Sequence, residues 1–209
     1  LKSEGFWNND WDVSLELIKR YKKDLGGQFN SPTREILRNR FDSFYFGEKL
    51  QESGEIWTGF INNETLLVRK KFFETLSSLE IKWGFVSGAE YPSAKFVLES
   101  RLGIKAPPLV AMGDAPEKPN PTGFLTLVSR LAECSIDTIQ EPIAYLGDTV
   151  ADVLTIQEAR KEYPYQRFIS FAISPPHLQL EKRKSLRKTY EYQLKKSGAD
   201  IVLKDTEEI

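Results

Sequence analysis

The stretch "IAYLGDTVADV", running from Ile143 to Val153, decides how the chain is read. A short apolar run ends at Gly147-Asp148, and a second carboxylate follows four residues later at Asp152. A run of that length ending in glycine reads as a strand. A helix starting just after it brings both carboxylates to one face. Two carboxylates so placed can hold a hard divalent cation, for which their oxygens are natural ligands. Asp152 can instead pair with a nearby lysine or stabilise a helix N-terminus. A plain strand end and helix start account for the same residues, so the stretch needs its surroundings.

From Ile81 onward, strand-like and helix-like segments alternate. The apolar runs "KWGFVSG" (82–88), "PLVAMGD" (108–114), "PIAYLGD" (142–148), "RFISFAIS" (167–174) and "DIVL" (200–203) read as strands. Between them, helices are expected from Pro92 to Gly103, Pro121 to Leu131, Val150 to Arg160 and Leu178 to Lys196. That alternation is the signature of a parallel sheet with helices on both faces. The near-continuous apolar runs suit strands buried on both sides.

Before Ile81 the reading is all-helical. Asp12 is the expected cap of a helix carrying Leu15, Ile18 and Leu25, stopped by Gly26-Gly27. Ser31-Pro32 is the expected start of a second, with Ile36, Leu37, Phe41, Phe44 and Tyr45 on one stripe and Gly47 near its end. Asn63 is the expected cap of a third, carrying Leu66, Leu67, Phe73 and Leu76. The expected organisation is a helical module over 1–80 and an α/β domain over 81–209.

Composition bounds the partners. In 209 residues, 40% are hydrophobic and 28% charged, as in an ordinary globular chain. The net charge of -1 gives no basic field for nucleic acid or an anionic membrane. The basic cluster from Glu181 to Lys188 reads as a solvated helix face. Cys134 is the single cysteine, which excludes an internal disulfide and favours a reducing, cytoplasmic setting. No apolar stretch is long enough to span a bilayer. Nothing specifies an oligomeric state. Residue one is Leu1 rather than methionine, so a processed chain or a gene fragment is expected.

In open α/β sheets the ligand site lies at the carboxyl ends of the strands. One strand ends at Ser87-Gly88, where a hydroxyl and approachable main-chain N–H groups can hold phosphate oxygens; taken alone, a plain strand-to-helix turn is the favoured explanation. Another leads into "MGDAPEKPNPTGF" (112–124), where Pro119 and Pro121 frame Lys118. Prolines narrow that loop, so the ammonium has a set direction from which it can neutralise a phosphate. An ordinary surface lysine is the alternative.

Serine at one strand end, lysine in "KPNP", then "GDTVAD" at a later strand end resembles the haloacid dehalogenase (HAD) superfamily of phosphotransferases and phosphatases. "KPNPTGF" and "GADIVLKDTEEI" look typical of its phosphoglycolate-phosphatase-like branch. Ser87 matches the second motif, Lys118 the third, and Asp148 with Asp152 the fourth. The resemblance implies a HAD-like Rossmannoid α/β core over 81–209 and a partial helical cap over 1–80. It also implies Mg2+ and a small phosphorylated metabolite as substrate. Ser87 and Gly88 would contact the phosphoryl group, and Lys118 would offset its charge. Asp148 would hold the metal, while Asp152 would bind it through water or orient Lys118. "SEGFWNNDWD" would include the cap loop over the substrate, with Trp7, Asn8 and Asn9 as binding residues; packing or helix capping by Asn9, Asp10 or Asp12 is the alternative.

One part of the pattern is missing. The family's first motif is a strand ending in Asp-x-Asp that supplies the nucleophile for an aspartyl-phosphate and the general acid and base. Asp10 and Asp12 in "NNDWD" have no apolar strand before them and do not take that role. The expectation is therefore a core lacking its first, central strand, inactive on its own as a phosphatase and prone to instability or aggregation. Two rival readings are a non-catalytic α/β module binding phosphate or metal, and another activity of the superfamily such as phosphomutase or dehalogenase. A nucleotide- or methyl-donor-binding Rossmann enzyme is disfavoured, because no glycine-rich loop follows a first strand.

Overall fold

The computed structural model describes residues 10–25, 30–47 and 57–209. The helical beginning comprises α1 (Asp10–Leu25), α2 (Arg34–Tyr45) and α3 (Lys70–Ser78), with a 3-10 turn at Phe60–Asn62. The remainder alternates β1 (Phe85–Glu90), α4 (Tyr91–Lys95), β2 (Leu109–Met112), α5 (Thr122–Ala132), β3 (Ile143–Gly147), α6 (Val150–Glu162), β4 (Phe168–Ile173), α7 (Lys184–Lys196) and β5 (Ile201–Leu203). The architecture is mixed α/β with all strand pairs parallel, consistent with the expected fold class. Among the described residues no helix is long and apolar enough to cross a membrane.

Helix starts depart from the sequence reading. α1 begins at Asp10, so Asp12 lies inside it and its carboxylate takes Arg34 Nε at 2.9 Å. Thr33, not Ser31, caps α2, its Oγ1 accepting from Ile36 N–H at 3.2 Å. Asn63 closes the 3-10 turn instead of opening α3, which starts seven residues later and leaves Leu66 and Leu67 outside it. The helix expected from Pro92 to Gly103 is α4 followed by a π-helical stretch, Phe96–Arg101. The helix expected from Leu178 is broken into 3-10 turns at Pro176–Leu178 and Glu181–Arg183 before α7. Gly26 and Gly27 lie outside the described residues.

The strands form two separate parallel sheets, ordered β1-β2 and β3-β4-β5. Helices cover both faces of the smaller one. Leu109 and Ala111 pack with Phe73 of α3 and Ala94 of α4, while Val110 on the other face meets Gly123 of α5. Phe73 and Leu76 place α3 against this sheet, although the sequence reading grouped it with the cap. In the larger sheet Phe168, Ser170 and Ala172 of β4 are buried. The helices α5, α6 and α7 pack there through Phe124, Ile156 and Leu194. Ile169, Phe171 and Ile173 alternate with them and stay partly exposed, so the expected burial of both faces fails for β4.

In the helical part, Trp11 of α1 is buried edge-on to Phe41 of α2, 6.3 Å between centroids. The guanidiniums of Arg34 and Arg38 stand 5.4 and 5.1 Å from its ring. Arg38 also donates to Glu90 at the end of β1, at 2.5 Å, tying α2 to the sheet beside the strand ends.

Candidate functional site

β1 and β3 are not paired with each other, and a cavity of about 240 Å³ opens at their carboxyl ends. Ser87, Gly88, Lys118, Asp148, Thr149 and Asp152 line it. Residues 65 positions apart thus share one wall, as strand-end ligand sites require. Trp7, Asn8 and Asn9 lie outside the described residues.

On the β1 side the ladder with β2 is irregular. Val86 pairs with Val110 and Glu90 with Met112, so four positions of β1 span two of β2. Ser87, Gly88 and Ala89 fall in that bulge, a device that turns side chains away from the regular pleat. Ser87 Oγ accepts from Ala89 N–H at 3.1 Å, a bond that leaves the hydroxyl proton unused.

The lysine loop leaves β2 through Gly113, whose φ of 92° lies in the left-handed region that glycine occupies without strain. Asp114 returns to accept from Ala111 N–H at 2.9 Å. Asn120 Oδ1 then receives Thr122 N–H at 3.0 Å where α5 starts. Lys118 sits between these anchors with its Nζ 2.6 Å from Asp152 Oδ1.

Asp152 is the most constrained member. It is 3% exposed, and four donors surround its carboxylate. Oδ1 receives Lys118 Nζ and, at 3.1 Å, Tyr145 Oη. Oδ2 receives Thr149 N–H at 3.0 Å and Thr149 Oγ1 at 2.6 Å. Thr149 Oγ1 accepts in turn from Asp152 N–H, completing a reciprocal capping box at the start of α6. Burial pushes the Asp152 carboxyl up, but the charge and hydrogen bond of Lys118, with the Thr149 bonds, outweigh it and hold the group below its ordinary value. A β-carbon at Gly147 would stand 2.2 Å from Asp152 Cβ, so the glycine ending β3 makes room for that side chain.

Asp148 is exposed toward the cavity, and its main-chain oxygen accepts from Tyr190 Oη of α7 at 2.8 Å. Burial first, then Asp148 and Asp152, raise the Tyr190 hydroxyl, so it stays a donor. Tyr145 is likewise raised well above its ordinary value by burial and by Asp152.

The structure therefore brings Ser87, Gly88, Lys118, Asp148 and Asp152 together. Sequence reasoning missed Thr149, Tyr145 and Tyr190. The T-x-x-D spacing of a capping box was the available signal for Thr149. No local pattern marks the two tyrosines, whose bonds depend on how α6 and α7 dock.

No protein-family model matches the chain, and no curated protein matches it. Among solved structures it is similar to a phosphonoacetaldehyde hydrolase like protein from Oleispira antarctica, with 16% sequence identity and a TM-score of 0.60. The match covers 91% of this chain and 67% of that one. At this identity the likeness shows the fold alone.

Proposed function

We propose that the cavity binds a phosphoryl or phosphonyl group, and that the chain carries most of the site of a HAD-type, Mg2+-dependent phosphoric monoester hydrolase. The observation that carries this reading is the convergence of Ser87, Lys118 and Asp148 on one cavity, with Lys118 fixed by Asp152 at 2.6 Å. The sequence resemblance predicted that grouping from residues far apart in the chain. The similar solved structure adds a hydrolase-like protein whose name contains a phosphonate; phosphate and phosphonate present the same oxygens to Ser87 and Lys118.

Each residue has a role that its chemistry supports. Ser87 donates its hydroxyl proton to a phosphoryl oxygen, and the bulge main chain around Gly88 offers N–H groups beside it. Lys118 sets its positive charge against the negative charge of the group and of its transfer. Asp152 keeps that ammonium in place. Among the described residues no cluster of three or more His, Cys, Asp or Glu can hold a metal. With Asp152 surrounded by donors, the carboxylate for Mg2+ is that of Asp148. One carboxylate completed by water and substrate oxygens is a pattern magnesium takes. The metal would supply further charge neutralisation at the same oxygens. The roles favour orientation of Lys118 over metal ligation for Asp152.

The nucleophile is part of the proposal as well. The resemblance expects a strand ending in Asp-x-Asp, and among the described residues β1 and β3 are not paired with each other, which is compatible with such a strand between them. The 209 residues alone are expected to bind the anion without turning it over. Titration calorimetry of inorganic phosphate tests the reading: binding should weaken about tenfold or more in Lys118→Ala, the loss of a charge-assisted hydrogen bond. Equal binding by both proteins refutes it. Magnesium-dependent turnover of p-nitrophenyl phosphate, abolished by Asp148→Ala, overturns the claim about the nucleophile. A non-catalytic phosphate-binding module predicts the same binding, but no turnover when an Asp-x-Asp strand is restored.

A further inference from the structure

Two hydrogen bonds hold the walls of the site from residues that the motif pattern does not include. We propose that Tyr145 and Tyr190 are positioning residues: Tyr145 sets the Lys118–Asp152 pair, and Tyr190 sets the main chain of Asp148. The inference rests on the phosphate and magnesium reading above and deepens it.

Tyr145 projects from β3 with its ring edge-on to Phe124, centroids 5.2 Å apart. Its hydroxyl meets the same oxygen of Asp152 that Lys118 uses, at 3.1 Å against 2.6 Å. Thr149 fixes the other oxygen with two donors. A carboxylate held only at Oδ2 pivots about that end, and the ammonium moves with Oδ1. Tyr145 is the neutral donor that stops the pivot without competing for the charge of Lys118.

Tyr190 acts 42 residues away in sequence, on Asp148 O at 2.8 Å. Asp148 lies between Gly147, which must stay small, and Thr149, which is committed to the capping box. The bond to α7 ties down the carbonyl between them and so the direction of the Asp148 side chain. α7 is itself anchored by Leu194, fully buried against Val150 and Val153 of α6. The helix is therefore a fixed support for that turn.

The two tyrosines act on different ligands, which separates positioning from general support. Tyr145→Phe and Tyr190→Phe keep both rings and remove one hydroxyl each. With the 209-residue chain, inorganic phosphate is titrated without metal, and Mg2+ is titrated with phosphate held at saturation. Each variant is measured well below its own melting midpoint. Tyr145→Phe should weaken phosphate about three- to tenfold, the range for one lost hydrogen bond, and leave Mg2+ unchanged. It should also move the ammonium resonance of Lys118 in protein labelled with nitrogen-15 lysine. Tyr190→Phe should weaken Mg2+ by a similar factor, leaving metal-free phosphate binding and the Lys118 resonance in place. Equal loss of both ligands in either variant, or a lowered melting midpoint with unchanged binding, overturns the proposal. Failure of the unsubstituted chain to bind phosphate and Mg2+ refutes instead the reading on which it rests.

Discussion

Replacing Asp152 by asparagine keeps the size of the side chain and removes its charge. The carboxylate accepts from four donors, two on each oxygen, so the new amide must turn its N–H₂ toward one pair of them. Facing Lys118 would set a donor against an ammonium, so the amide turns toward Thr149. It then loses the main-chain N–H bond of the capping box, at a cost of about 1 kcal/mol. The larger loss is the ion pair. Breaking a buried pair costs about 3–5 kcal/mol, and the 21% exposure of the Lys118 side chain favours the lower end. Together the expected loss is about 4 kcal/mol, a large share of a typical domain's stability of about 5–15 kcal/mol. Urea unfolding at neutral pH, followed by tryptophan fluorescence, measures it. Adding Lys118→Met completes a double-mutant cycle whose coupling should be about 2 kcal/mol. A loss under about 1 kcal/mol, or two substitutions that simply add, refutes the claim that this pair organises the site.

Other outcomes follow from the same geometry. Asp152 is held below its ordinary value in the fold, so its contribution is complete above the unfolded value of about 4 and disappears as the pH falls through the lower folded one. Stability should therefore fall more steeply below about pH 4 in the parent chain than in Asp152→Asn, as acid unfolding curves would show. Gly147→Ala places a methyl against Asp152 and should cost about 1–3 kcal/mol in a urea melt, with weaker phosphate binding. Thr33→Ala removes the observed cap of α2 and should cost about 1 kcal/mol, while Ser31→Ala should be near neutral in the same assay.

Much of the α/β part was legible because its signals are local. Each of the five strands lies within the apolar run assigned to it or overlaps it, since short apolar segments closed by glycine or proline carry their own boundaries. β1 runs past Ser87 to Glu90 because the bulge lets pairing with β2 resume. Helix starts were less legible. Ser31 and Thr33 are rival caps within a turn of each other, and Asp12 lies inside α1 rather than at its start. Arg34 claims Asp12, and Thr33 is the residue whose hydroxyl reaches Ile36. The division into two sheets, the docking of α3 on β1 and β2, and the roles of Tyr145 and Tyr190 all depend on contacts between distant segments. No window of sequence encodes them. The grouping of Ser87, Lys118 and Asp148 was legible only because strand ends in such folds converge.

In the proposed site Asp148 and Lys118 serve one bound phosphoryl group together with Mg2+. The most direct measurement of that joint role is the affinity of the 209-residue chain for orthovanadate, with and without Mg2+, in the parent and in Asp148→Asn. Mg2+ should tighten vanadate binding in the parent, vanadate should tighten Mg2+ to the same extent, and Asp148→Asn should abolish this coupling. Vanadate binding that ignores Mg2+, or coupling that survives in Asp148→Asn, would contradict it.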